Sequence, residues 1–293
     1  RTIVVTGGNA GIGYFTAEQL ARAGARVVLA SRSEAKARTA IAAIRAMVPE
    51  ASAAFVDLDL TSLASVARAA EEIRALGPID GLVNNAGLVI SPRRRRTTQD
   101  GLELLVGGNF FGHFALTAQV FPALTAEARI VGLGSMSTRM VRLDPSDLLS
   151  ARRYSPFRAY AFSKHLVHGF AFELDRRLRA AGSSRRSMLA HPGFAVTGLA
   201  SPRPGVTEQA AWRRHAERVL FWAVGQGKDA GAWPTVRAMT DPDAASGSFF
   251  GPARLLTGLP VPLAPVASSA SPVFGAQLWS LAERLTGTRL RAE

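Results

Sequence analysis

Thr2-Ile3-Val4-Val5-Thr6, followed at once by Gly7-Gly8-Asn9-Ala10-Gly11-Ile12-Gly13, is the stretch that decides the fold. Five consecutive β-branched residues read as a buried strand. The glycines behind them let the chain turn tightly and let backbone approach a ligand. The helix that opens at Gly11 aims free N–H groups and a positive dipole end at that turn. Strand, glycine turn and helix together make a cradle for a phosphate, with Gly7, Asn9, Gly11, Ile12 and Gly13 as its candidate contacts. The spacing is Gly-x-x-x-Gly-x-Gly, not the dinucleotide Gly-x-Gly-x-x-Gly form. An ordinary tight turn has the same glycines, so the context must decide.

The context repeats the pattern. Strand-like runs at 26–30, 53–56, 79–83, 129–133 and 187–190 alternate with helical-period stretches at 34–48, 62–76, 101–124 and 157–181. Gly77-Pro78 closes one of those helices. Alternation of this kind implies right-handed crossovers and a parallel sheet covered on both faces. Further helices are expected at 208–224, 228–239 and 274–285, and a short last strand at 248–250. The Pro- and Ala-rich stretch 259–272 is expected to be irregular. The expectation is one domain over 1–293: a doubly wound, mostly parallel sheet of about seven strands, Rossmann-type, in a three-layer α/β/α arrangement. A substrate-loop region is expected at 192–226 and a C-terminal extension at 251–293.

Composition narrows the chemistry. The 293 residues include no cysteine, which excludes disulfides, thiolate metal sites and cysteine nucleophiles. Lys and Arg total 35 against 22 Asp and Glu, a formal charge of +13. The arginines are scattered through every helix, so nucleic-acid binding is not the expected reading. Arg93–Arg96 form the one cluster: a solvated loop, with a clamp for an acidic substrate as the sharper alternative. No signal segment or membrane-length apolar stretch is read, which leads to an expectation of a cytoplasmic protein without stable membrane insertion.

The end of the second strand selects the cofactor. An acid there would bind the ribose 2′-hydroxyl of NAD. The sequence instead runs Val28-Leu29-Ala30-Ser31-Arg32. The Arg32 guanidinium, helped by the Ser31 hydroxyl, suits a 2′-phosphate, so NADP(H) is expected. At the third strand's end, the Asp57 carboxylate and the N–H of Leu58 could bind adenine; an Asp capping the next helix is the plainer alternative. Asn84-Asn85-Ala86-Gly87 ends the fourth strand, and Asn84, Ala86 and Gly87 are candidate cofactor contacts.

Tyr160 and Lys164 stand four apart on one helical face. A phenol titrates near ~10, and a neighbouring ammonium favours its phenolate, making an acid–base group usable near neutrality. A lone Tyr-x-x-x-Lys occurs by chance.

The ordered set does not. Thr6–Gly13, Asp57, Asn84–Gly87, Asn109, Ser135, Tyr160, Lys164 and Pro192-Gly193 with Thr197 resemble the short-chain dehydrogenase/reductase family over nearly the whole chain. Thr98-Gln99-Asp100-Gly101-Leu102-Glu103, Gly112-His113-Phe114 and Arg153-Tyr154-Ser155-Pro156 look like its retinol dehydrogenase and protochlorophyllide reductase branch. The resemblance implies proton exchange between Tyr160 and a substrate oxygen, with Lys164 lowering the Tyr160 pKa and holding the nicotinamide ribose. It implies a hydrogen bond from Ser135 to the carbonyl oxygen, a water held by Asn109, carboxamide binding by the backbone around Ala195 with Thr197, and cofactor contacts at Pro192 and Gly193. The implied reaction interconverts a ketone or aldehyde and an alcohol.

Departures from the family pattern are informative. The fifth strand ends Gly134-Ser135, where the family more often has two serines; Ser137 is the fallback for the catalytic serine. Residues 136–157 are expected to form an ordered insertion near the substrate. His165 and His168 are read as facing away from Tyr160 and Lys164, so no metal site is expected. His113 and His191 are read mainly as packing. Phe194, Leu199, Trp212 and Phe221 suggest a small apolar carbonyl or alcohol substrate. The family often pairs through the helix bearing Tyr160, so a homodimer or homotetramer is compatible, as is a monomer. The competing readings are an extended-branch nucleotide-sugar epimerase or dehydratase and a non-catalytic dinucleotide-binding protein.

Overall fold

A computed structural model of the chain describes residues 1–89 and 92–292. The first strand, β1 (Thr2–Thr6), is followed by α1 (Gly11–Arg22), β2 (Arg26–Ser31), α2 (Glu34–Met47), β3 (Ala53–Asp57), α3 (Leu63–Ala75) and β4 (Ile79–Asn84). The caps follow the sequence: the hydroxyls of Ser33 and Ser62 accept from Lys36 N and Ser65 N at the starts of α2 and α3. Next come α4 (Leu104–Ala123), β5 (Leu124–Leu133), α5 (Pro156–Ala180), opened by Ser155 with Pro156 at its first position, and β6 (Arg186–Ala190).

With β9 (Phe249–Pro252) and β10 (Pro260–Pro262), the main sheet has eight strands against about seven expected, in the order β10-β9-β6-β5-β4-β1-β2-β3. The chain starts in the middle and winds both ways, so the strand order switches between β1 and β4. Crevices at such a switch, beyond the carboxyl ends of the strands, are where ligands of this architecture sit. The eighth strand is β10 (Pro260–Pro262), paired antiparallel to β9 (Phe249–Pro252) in a stretch expected to be irregular. Its prolines lack N–H donors, which an edge strand tolerates. A second sheet joins β7 (Ala195–Val196) to β8 (Gln226–Gly227). The expected helices at 208–224 and 228–239 are shorter: α6 (Ala211–Phe221), and a turn at Lys228–Gly231 leading into α7 (Trp233–Thr240).

Helix α4 corrects one expectation. Its apolar run is long enough to cross a membrane by length and composition, but 89% of it is buried inside the fold. It is the core helix beside α5, with Phe110 and Phe114 meeting Phe170 edge-on. One turn of α4, Gly107–Phe111, widens to a π-helix, a distortion frequent at functional sites.

The last helix, α8 (Pro272–Thr286), closes this core. Trp279 packs on Phe114 and Phe170, and the Arg177 guanidinium lies 4.2 Å over its ring. Gly169 of α5 is what lets α8 approach, since a Cβ there would come 2.6 Å from Phe274. Residues 136–157 are ordered by Asp147, whose carboxylate accepts from the N–H groups of Ala151, Arg152 and Arg153. Arg93–Arg96 are exposed.

Candidate active site

A groove of about 660 Å³ runs along the carboxyl ends of β2, β1, β4 and β5. At one end the glycine turn forms its floor. Gly7 and Gly11 adopt φ of +66° and +58°, and a Cβ on Gly13 would come 2.3 Å from the Gly7 carbonyl. No side chain fits between turn and helix, so backbone N–H groups face the groove unobstructed. Thr6 ties this turn to the next strand: its hydroxyl accepts from the N–H groups of Asn85 and Ala86, each at 2.9 Å.

Ser31 and Arg32 line the groove beside the turn. The Ser31 hydroxyl is buried without a hydrogen-bond partner among the described residues. At the groove wall it is free to bond a ligand. Arg32 forms no ion pair among the described residues, and Lys36, one turn into α2, lines the same wall. Lys228 lines the opposite rim, its Nζ 3.7 Å from where a Cβ on Gly11 would stand. Neither lysine was expected, because neither belongs to a motif; the fold brings both there. An unpartnered hydroxyl, a backbone cradle and three cations suit the phosphates of a dinucleotide.

Several expected contacts are displaced. Asp57 ends β3 with its side chain exposed and does not line the groove; Asp59, two residues later, does. Leu58 lines the wall, but its N–H is already given to the Ser31 carbonyl at 3.2 Å. Asn84 is buried and donates to the Thr117 hydroxyl; Asn85 takes its place at the groove. Pro192 and Ala195 line the groove, whereas Gly193 packs under Leu256 and Thr197 opens a short 3-10 turn outside it.

At the far end Asn109, Tyr160, Lys164 and Gly87 come together. Asn109 sits in the π-turn of α4, accepts from Leu88 N and donates to Leu88 O and the Ser163 hydroxyl. A Cβ on Gly87 would stand 3.5 Å from both the Asn109 Oδ1 and the Lys164 Nζ. Lys164 is buried and donates to the Leu133 carbonyl at 2.8 Å; burial pulls its pKa down to about 8. Burial pushes the Tyr160 phenol up, while the neighbouring Ser135 hydroxyl pulls it down. The Lys164 ammonium lies 5.8 Å from the centroid of the Tyr160 ring while bonded to Leu133. Ser135, not Ser137, stands by the phenol; the Ser137 hydroxyl is buried and unbonded.

His168 is a residue the sequence reading misplaced. It does not face away: its Nε2 accepts the Ser135 N–H at 3.3 Å. The signal was available, since residues 160, 164 and 168 are successive i, i+4 neighbours. The same ring fills the space of a second serine, because a Cβ on Gly134 would come 2.4 Å from His168 Nε2. His113 bridges Thr6 Oγ1 and the Asn109 carbonyl, each at 2.9 Å, so it braces both ends of the site from within the core. A carbonyl only accepts, so Nδ1 of His113 carries the proton. Burial pulls His113 and His191 down to about 4, leaving both neutral. Among the described residues no group of three His, Cys, Asp or Glu could hold a metal. Leu199, Trp212, Phe194 and Phe221 do not line the groove.

The arrangement has known relatives. Residues 1–204 match the family described as short chain dehydrogenase. The chain is 41% identical to the polyprenol dehydrogenase of Mus musculus over 251 residues, 83% of this chain and 72% of that one. It is 32% identical to retinol dehydrogenase 13 of Homo sapiens over 293 residues, 98% of this chain and 85% of that one. The crystal structure of an uncharacterised protein from Mycobacterium Paratuberculosis superposes with a TM-score of 0.80 at 34% identity, covering 99% of this chain and 95% of that one. The chain belongs to the short-chain dehydrogenase/reductase family of oxidoreductases, in its retinol dehydrogenase-like branch.

Proposed function

We propose that the protein is an NADP(H)-dependent oxidoreductase that interconverts an apolar ketone or aldehyde and its alcohol. The observation that carries the cofactor choice is the end of β2: Arg32 and Lys36 beside an orphaned Ser31 hydroxyl, with no acid to take a ribose 2′-hydroxyl. The bound dinucleotide would supply or accept the hydride. Arg32, Lys36 and Ser31 would hold its 2′-phosphate, and the Gly7–Gly13 cradle with Lys228 its pyrophosphate. Lys164 would hold the nicotinamide ribose.

The chain's own chemistry is proton management. Ser135 donates a hydrogen bond to the substrate oxygen and Tyr160 gives or takes its proton. Burial raises the resting phenol, which suits a proton donor in the reducing direction. A cationic nicotinamide and the Lys164 ammonium would bring the phenol down in the oxidising direction. Asn109, held by Leu88 and Ser163, positions the far side of the proton path. The relatives' names refer to retinol and polyprenol, both long apolar alcohols, which supports an apolar substrate.

NADPH and NADH oxidation against a panel of apolar carbonyls tests both parts. NADPH is expected to be strongly preferred, with Arg32→Ala weakening NADPH about 10- to 100-fold, the worth of charge-assisted hydrogen bonds, and leaving NADH unchanged. Equal use of the two cofactors by the native protein refutes the assignment of Arg32. Tyr160→Phe is expected to lose about 10²–10⁴-fold in turnover while still binding NADPH; full activity refutes the proton role.

A further inference from the structure

Helix α6 wears its apolar face outward. Its polar contacts point into the protein: Arg214 donates to the Ala200 carbonyl at 2.8 Å and the Glu217 carboxylate accepts from Gly198 N at 2.7 Å. Phe221 rests on Phe194, with ring centroids 5.1 Å apart. No residue of the helix is buried. At 100° per residue, Trp212, Ala216, Val219 and Leu220 fall on one stripe on the side away from Arg214 and Phe221. Trp212 is 74% exposed and Leu220 68%; Trp222, just past the helix end, is 76% exposed and falls on the His215 and Arg218 side. Arg213 borders it on one side, His215 and Arg218 on the other. Glu217 is the helix's single acid and is turned toward the fold, where it also meets Arg213 at 3.4 Å.

An exposed stripe of Trp and Leu is costly in water. Flanked by arginines, on a chain of net charge +13, it has the make-up of a helix that lies in a bilayer interface, with aromatic rings at headgroup depth and cations on phosphate. We propose that α6 docks the protein onto an anionic lipid surface. The helix belongs to the loop whose opening residues, Pro192 and Ala195, line the cofactor groove, so docking and substrate entry share one segment. The inference does not rest on the substrate assignment above.

The test uses the full chain with vesicles of phosphatidylcholine alone and of phosphatidylcholine mixed with phosphatidylglycerol. The expected result is co-sedimentation with the mixed vesicles only, a blue shift of indole emission, and weakening as salt rises. Arg213→Gln and Arg218→Gln should each weaken binding about fivefold. Trp212→Ser with Leu220→Ser should abolish it, while NADPH affinity and the unfolding temperature stay at the native values. Leu220→Ser alone should give a partial loss. Absence of binding at low salt, or equal binding to both vesicle types, overturns the proposal. So does a dimer in light scattering that Trp212→Ser dissolves, since a second copy would then cover the stripe.

Discussion

Gly134→Ala isolates one consequence of the site's construction. The added methyl would come 2.4 Å from Nε2 and 3.0 Å from Cδ2 of His168. Real Cβ contacts are not that short, so the imidazole must move. It has little room: it is fully enclosed, wedged against Phe249 at 5.4 Å, and it accepts the Ser135 N–H. Overpacking a tight core costs about 1–3 kcal/mol, and losing the Ser135 hydrogen bond adds about 1 kcal/mol. The sum, roughly 2–4 kcal/mol, lowers the melting temperature by roughly 5–15 °C at the ~2–4 °C per kcal/mol expected for a large domain. Differential scanning calorimetry of the native chain, Gly134→Ala, His168→Ala and the double variant measures it. The two substitutions should compensate, the double variant being at least about 1 kcal/mol more stable than the singles sum to, because the new methyl fills space the ring vacates. Turnover should fall with Gly134→Ala, since Ser135 shifts with the ring. Native melting of Gly134→Ala, or strict additivity, refutes the reasoning.

Two further outcomes follow from charges in the structure. Lys228→Met should weaken NADPH and NADH alike, by about tenfold, because Lys228 stands beside Gly11 of the glycine cradle; fluorescence titration with both cofactors separates it from Arg32, which should affect NADPH alone. Acidification should destabilise the fold. The unfolded imidazoles of His113 and His191 take protons near ~6.5, the native ones only near 4. Between those values the unfolded chain holds more protons, so stability falls as pH falls through that window. From pH 7 to pH 5 each contributes roughly 2 kcal/mol, readable as a drop in the urea midpoint; an unchanged midpoint contradicts their burial as neutral rings.

The parallel core was legible because its strands are short apolar runs, β1 wholly β-branched, and its helices carry apolar stripes, α2 and α3 with serine caps. What stayed hidden obeys other rules. The strand Pro260–Pro262 breaks the local pattern, and only its edge position makes proline admissible. The acid at the groove is Asp59 and not Asp57 because ligands sit beyond strand ends, and β3 runs one residue longer than its apolar pattern suggests. Tyr160, Lys164, Asn109 and Ser135 were found together because they lie in ordered motifs. Lys36 and Lys228 were not, because tertiary winding alone sets them on one groove. Trp212 was read, with Phe194, Leu199 and Phe221, as facing an apolar substrate; it lies on the outward face of α6, since composition marks an apolar residue but not the direction it faces.

The last helix gives the molecule a form of self-sufficiency. Family members often pair through the helix that bears the catalytic tyrosine, and here that helix and its neighbour are already covered: Phe274 seats on Gly169, and Trp279 is clasped by Phe114, Phe170 and Arg177. The chain itself supplies the apolar wall against which these two helices pack. Moving α8 away would uncover an indole that is 3% exposed and the aromatic cluster behind it.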